Sequence, residues 1–190
     1  MRVLVIDNYD SFTYNLVYII RKIVSEVSIY RNDKITADEC LEYDAIILSP
    51  GPGIPKDAGN LVSIIATCAG KVPILGVCLG HQAIAEYLGG ELRMLNTVYH
   101  GIQSTVKVKE GINVLFNNMP QSFKAGRYHS WEVVLAKNET YDITALAEDD
   151  CVMAIQSLAQ KLYGIQFHPE SILTPLGDSI VYNFLRISKT

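Results

Sequence analysis

The sequence predicts a single α/β domain over residues 1–190, with a doubly wound, mainly parallel central sheet, flanking helices and antiparallel strand additions. Three observations carry this. Short continuous apolar runs at 3–6, 45–48 and 72–77 have the composition of strands buried on both faces. Apolar stripes at helical spacing alternate with these runs. Past about Glu91 the pattern changes to strict alternation, as in Thr105-Val106-Lys107-Val108-Lys109, which fits antiparallel strands.

The elements follow in order. The first strand, 3–6, runs into Asp7-Asn8-Tyr9-Asp10-Ser11, a loop rich in helix-capping residues, and Leu16, Ile19, Ile20 and Ile23 mark the first helical face. A strand at 27–30 precedes the one at 45–48, which Ser49-Pro50-Gly51-Pro52-Gly53 breaks sharply. Leu61, Ile64, Ile65 and Cys68 trace the next helix. The strand at 72–77 leads into Cys78, and a helix at 81–88 ends at Gly89-Gly90. Strands at 105–109, 122–126, 132–135, 143–147 and 152–157 are expected to extend the same sheet. The run 162–167 returns to a buried strand, and Leu176, Ile180, Val181, Phe184 and Leu185 form a closing helix.

Composition excludes several classes of function. With 49% hydrophobic and 19% charged residues, the chain has enough apolar content for one sizeable core. Sixteen basic against twenty acidic residues, a formal charge of -4 and no basic stripe argue against nucleic acid as a partner. No apolar run approaches the roughly 18 residues of a membrane span, and Asp7 interrupts the N-terminal run early, so a cytoplasmic protein without membrane contact is expected. The four cysteines at 40, 68, 78 and 151 are too scattered for a disulfide framework. Cys68 continues a core face, while Cys40 and Cys151 carry no local signal. Cys78 and His81 form a lone Cys-x-x-His without a second pair, so no metal site is expected.

Three loops that leave strand ends carry chemistry-bearing residues. In Gly76-Val77-Cys78-Leu79-Gly80 the glycines permit a tight strand-to-helix turn that exposes the central side chain, the thiol version of a nucleophile elbow. The adjoining helix N-terminus favours an anion there, hence the thiolate. In Gln166-Phe167-His168-Pro169-Glu170-Ser171, residues two apart point the same way, so Glu170 can orient His168. A cysteine that attacks a carbonyl needs such a base, itself held by a third group. Acyl transfer also needs donors for an oxyanion, and the backbone N–H groups of Leu79, Gly51 and Gly53 can supply them, whereas Pro52 has none. Each loop also has a plain structural reading, as a Gly-rich turn, a capped turn and a rigid turn. His81 reads as structural, and His100 and His129 lack an acidic neighbour at orienting distance.

Together the three loops resemble the signatures of class I glutamine amidotransferases. The opening 7–15, Asp-Asn-Tyr-Asp-Ser-Phe-Thr-Tyr-Asn, is similar to the branch that holds anthranilate synthase component II and the aminodeoxychorismate synthase glutaminase. The resemblance covers essentially the whole chain and implies a flavodoxin-like amidotransferase fold. It implies that Cys78 attacks the side-chain amide of L-glutamine, that His168 relays protons and that Glu170 holds His168. Leu79 with the Gly51/Gly53 loop would form the oxyanion hole, while Gln82 and the main chain at Ser130 and Trp131 would grip the substrate. Ammonia would pass to a chorismate-using component I synthase subunit that makes anthranilate for tryptophan biosynthesis, or aminodeoxychorismate for folate biosynthesis. No cofactor is implied for the glutaminase step, with Mg2+ expected only on the partner. A chain of this length would donate ammonia to another chain.

Tyr9, Ser11, Phe12 and Tyr14 crowd aromatic side chains onto the catalytic edge and are expected to contribute to the component I interface, unless Phe12 and Tyr14 fold back to staple the first helix. Two positions depart from the family pattern: Ile102 lies where many relatives have Lys nearby, and Trp131 stands where many have Leu. A stand-alone cysteine hydrolase and a non-catalytic flavodoxin-like binding module are the alternatives.

Overall fold

A computed structural model describes residues 1–136 and 139–188, so 137–138 and 189–190 of the expected single domain lie outside the described residues. In chain order the elements are β1 (Arg2–Asp7), α1 (Thr13–Arg21), β2 (Glu26–Arg31), β3 (Ala45–Leu48), α2 (Leu61–Cys68), β4 (Ile74–Val77) and α3 (Leu79–Tyr87). They continue with β5 (Glu91–Met94), β6 (Ile102–Val108), β7 (Ser122–Arg127), β8 (Trp131–Val134), β9 (Asp142–Ala147), β10 (Val152–Ser157), β11 (Leu162–Ile165) and α4 (Gly177–Ile187).

Among the described residues nine strands form one sheet in the order β2-β1-β3-β4-β11-β10-β9-β6-β7. The first five are mutually parallel, and the remaining four extend the sheet antiparallel from β11. The continuous apolar runs are explained by what lies on each face. Along β1, β3 and β4, Val3, Val5, Ile47, Leu75 and Val77 point to one side, where they meet Leu16, Ile20, Ile180 and Phe184 of α1 and α4. Leu4, Ile6, Ile46, Leu48 and Ile74 point to the other, against Leu61, Ile64 and Ile65 of α2 and Ile84 of α3. A strand with a core on both faces cannot alternate polar and apolar residues, because both sets are buried.

Beyond shifts of two or three residues at other strand ends, two departures from the expected elements bear on the site. The strand expected at 132–135 does not join the main sheet: β8 pairs with β5 in a separate two-stranded ribbon. Leu92 and Val133 pack into the apolar cluster around α2 and α3, which draws the ribbon onto α3 instead of the sheet edge. Helix α3 starts at Leu79, two residues before the expected start, because Cys78 itself is its N-cap. No helix among the described residues is long and apolar enough to cross a membrane.

Candidate active site

Strands β3, β4 and β11 are neighbours and parallel, so the loops after Leu48, Val77 and Ile165 open at one edge of the sheet. Cys78 leaves β4 with φ +52° and ψ -100°, a positive-φ conformation that costs a non-glycine residue about 1–3 kcal/mol. Close packing holds it there. A Cβ on Gly76 would overlap the Gly80 carbonyl and come within 2.6 Å of the His81 amide nitrogen, and one on Gly80 would lie 2.7 Å from Leu48 Cβ. The Cys78 amide donates to the Ile165 carbonyl at 2.9 Å, which ties the elbow to β11, and the Cys78 carbonyl accepts from Gln82 at 3.0 Å. The side chain is nearly buried at the foot of α3, where the first N–H groups of the helix have no partner within it.

The turn after β11 holds His168 beside this thiol. Its amide donates to the Gly126 carbonyl at 3.1 Å, and its carbonyl accepts from the Thr174 hydroxyl at 2.6 Å. Gly177, the first residue of α4, lies against the Pro169 carbonyl, where no Cβ would fit. The imidazole packs on Tyr128 with ring centroids 4.8 Å apart. His168 Nδ1 and Glu170 Oε1 are 2.6 Å apart, with the Glu170 side chain 1% exposed. Nε2 of His168 has no hydrogen-bond partner among the described residues. Burial lowers the imidazole pKa, but the neighbouring Cys78 sulfur and then the Glu170 carboxylate outweigh it, so the net value stands well above the ordinary one. A Cys78→Ala variant is therefore expected to titrate His168 at lower pH than the wild type, since the sulfur that raises it is lost and burial remains. Imidazole NMR titration of the two proteins checks this, and an unchanged pKa would contradict the pairing.

The loop 49–53 lies against the same turn. A Cβ on Gly51 would meet Asn8 at 2.6 Å and Leu79 Cδ2 at 2.8 Å, so only glycine lets this backbone approach the start of α3. Gly53 takes φ +75°. Sheet order reverses between β1 and β3, the usual ligand crevice in such folds. Here that crevice is latched: Asn8 donates from its amide to Ser49 Oγ at 2.9 Å and from Nδ2 to the Ser49 carbonyl at 2.7 Å. Cys78, His168 and Glu170 sit at the ends of β4 and β11 instead.

Gln82 reaches across from α3, with Nε2 at 3.2 Å from the Trp131 carbonyl and 3.3 Å from Gln166 Oε1. The Trp131 main chain thus points at the site while its side chain is partly exposed. The Ser130 carbonyl, in contrast, is taken by the Leu95 amide at 2.8 Å. Sequence reasoning gave no role to Gln166, which is buried with Nε2 3.6 Å from Cys78 Sγ. The signal was present, since Gln166, His168 and Glu170 share the two-residue period of extended chain. It also passed over Asp10, whose half-buried carboxyl is raised by burial and pulled back by the Phe12 amide and by His168 nearby.

His81 is fully buried under α3 against Gly164, with neither ring nitrogen hydrogen-bonded and its pKa pushed down to about 3 by burial. That is a packing role. Cys40, Cys68 and Cys151 are buried free thiols, and burial pushes Cys151 up to about 12. Ile102 lies exposed at the start of β6, opposite Arg127. In the loop after β1 Tyr9 and Phe12 are 47% and 48% exposed, Ser11 is exposed as well, and Tyr14 in the first turn of α1 is 65% exposed. The Tyr9 hydroxyl donates to Asp33 at 2.8 Å. Phe12 faces Tyr128 with centroids 6.4 Å apart, and both line a cavity of about 250 Å³ that also touches His168 and Glu170.

Comparison with known proteins agrees with this geometry. Residues 4–187 match the family described as glutamine amidotransferase class-I. The chain is 46% identical over 187 residues to anthranilate synthase component 2 of Lactococcus lactis, covering 96% of this chain and 93% of that protein. It is 40% identical over 189 residues to aminodeoxychorismate/anthranilate synthase component 2 of Bacillus subtilis, covering 96% and 95%. The crystal structure of a glutamine amidotransferase from Thermotoga maritima shares the fold, with TM-score 0.81 at 17% identity over 100% of this chain and 99% of that one. A cysteine on a strained elbow, a buried His–Glu pair beside it and a family match along nearly the whole length place this chain in the class I glutamine amidotransferases.

Proposed function

We propose that this chain is a glutaminase subunit that hydrolyses L-glutamine and passes ammonia to a chorismate-using component I synthase subunit, which makes anthranilate. The observation that carries the reading is the meeting, on neighbouring parallel strands, of the Cys78 elbow with the buried His168–Glu170 pair. The names of the relatives support the pathway.

In the proposed mechanism Cys78 Sγ attacks the γ-amide carbon of glutamine. The tetrahedral oxyanion meets the Leu79 N–H and the backbone of the Gly51/Gly53 loop, groups already fixed before reaction. His168, held by Glu170, gives its proton to the amide nitrogen, and ammonia leaves. The γ-glutamyl thioester is then opened by water, with His168 now the base. Gln82 and the main chain at Ser130 and Trp131 grip the substrate. The step calls on no cofactor or metal of this chain; Mg2+ belongs to the proposed partner. Ammonia in neutral water is mostly ammonium, which is not nucleophilic, so transfer through a covered path is favoured. Tyr9, Ser11, Phe12 and Tyr14, on the edge that ammonia must leave by, are proposed to meet component I. The proposed setting is the cytoplasm, and it rests on the biosynthetic role alone.

The Bacillus subtilis relative is named for both synthases, which favours a second reading in which the same chain serves aminodeoxychorismate synthase as well. Reconstitution with each type of component I, scored by product from chorismate and glutamine, tests the assignment. Anthranilate formed with glutamine as the sole nitrogen source is expected. No product with either partner, while ammonium salts still support both, would overturn the function.

A further inference from the structure

The Trp131 carbonyl beside Gln82 is held by hydrogen bonds whose donors and acceptors can be assigned one by one. Asp149 Oδ2 accepts from Arg127 Nη1 at 2.9 Å and from the Tyr99 hydroxyl at 2.6 Å, and the guanidinium lies 3.5 Å from the centroid of the Tyr99 ring. Arg127 Nε donates to His129 Nε2 at 3.1 Å. A guanidinium has no lone pair to offer, so His129 Nε2 is the acceptor nitrogen and the proton sits on Nδ1. That proton goes to the Trp131 carbonyl at 2.8 Å. Burial first, and Arg127 in addition, push the His129 pKa down to about 4 against the pull of that carbonyl, so the ring is neutral.

The Trp131 carbonyl also faces Gln82 Nε2 at 3.2 Å. A carbonyl oxygen only accepts, so the Gln82 amide must turn its NH2 towards residue 131 and its Oε1 away. The same Nε2 faces Gln166 Oε1, which leaves the Gln166 NH2 aimed at the Cys78 sulfur. Trp131 opens β8, in the ribbon that stands apart from the main sheet, so sheet hydrogen bonds do not fix its carbonyl to the catalytic strands.

We propose that Arg127 and His129 are positioning residues that fix the polarity of the Gln82 amide, and through it the preference for a substrate that carries an α-ammonium group. This rests on the glutaminase reading above. In that reading the γ-amide nitrogen faces His168 as the leaving group, which leaves the α-ammonium as the remaining donor of glutamine. Gln82 Oε1 is the acceptor that suits it. Without the His129 proton the Trp131 carbonyl can rotate away, and only the longer contact with Gln166 Oε1, a side-chain amide that can itself turn over, then bears on the orientation of a nearly symmetric amide.

The test compares ammonia release from L-glutamine and from glutaramate, the same molecule without its α-amine, by the full chain in complex with component I. In His129→Asn the side-chain N–H stands where Nδ1–H stood; in His129→Gln it is carried out to the Nε2 position and cannot reach residue 131. The ratio of kcat/KM for the two substrates is expected to stay near the wild-type value in the Asn variant. In the Gln variant it is expected to fall at least about tenfold, through the KM for glutamine, because a buried polar group left unpaired is what discriminates such analogues. Glutaramate kinetics should not change. An unchanged ratio in both variants, or an equal fall in both with a lowered melting temperature, would reduce His129 to packing and overturn the proposal. Should neither variant fold, Arg127→Lys carries the same test: a point donor cannot serve Asp149 and His129 together, and an unchanged ratio overturns the proposal. A wild-type complex that releases no ammonia from glutamine would overturn the glutaminase reading itself, before any variant is compared.

Discussion

Cys78→Ser is expected to remove glutamine-dependent amination by the reconstituted pair, by roughly four orders of magnitude or more, while amination with added ammonium salt stays intact. Serine fits the space at residue 78 and keeps the elbow, but its hydroxyl is a far weaker nucleophile at its own pKa than a thiol. The substitution also removes the sulfur that raises the His168 pKa. In the proposed division of labour Cys78 serves only ammonia release, and chorismate chemistry belongs to the partner. Product formation from each nitrogen source, with complex formation followed by gel filtration, gives the result. Loss of both activities in an intact complex would overturn that division.

The second large effect is expected at Gly76. An alanine there would drive its methyl into the Gly80 carbonyl and to within 2.6 Å of the His81 nitrogen, all backbone atoms of the turn that presents Cys78. Backbone cannot step aside as a flexible side chain does, so Gly76→Ala should cost about 3 kcal/mol or more and abolish glutaminase activity with it. Gly53→Ala is the control. Nothing lies within 4 Å of a Cβ there, and only its φ of +75° opposes the change, for about 1 kcal/mol. Denaturant melts of both variants check the order, and a Gly76→Ala protein as stable as the wild type would show that the elbow relaxes freely.

Much of this was legible in the sequence, for identifiable reasons. Residues 3–6, 45–48 and 72–77 read as central strands because burial on both faces leaves no room for polar residues. The meeting of Cys78 with His168 and Glu170 was legible because a cysteine between glycines and a His-Pro-Glu turn are local patterns. What was not legible depends on contacts far apart in the chain. The ribbon of β5 and β8 is set by Leu92 and Val133 packing on α3, and a strand of four residues carries no mark of which neighbour it joins. His129 reads as idle because no acid lies near it in sequence; its partners are a guanidinium at 127, ordered by Asp149, and the carbonyl of residue 131. Gln166 reads as a strand residue until Cys78, 88 positions away, is seen beside it.

The position of β11 sets an order of events during synthesis. This strand lies at the middle of the sheet, between β4 and β10, yet it is the last of the sheet's strands to leave the ribosome, and the turn behind it rests on the first residue of α4. Cys78 emerges long before either. Until residue 165 has been inserted, its carbonyl is not there to hold the Cys78 amide, and neither imidazole nor carboxylate stands beside the sulfur. A nascent chain thus carries Cys78 without these neighbours through most of translation. The cysteine of the proposed glutaminase meets them only when the closing helix docks.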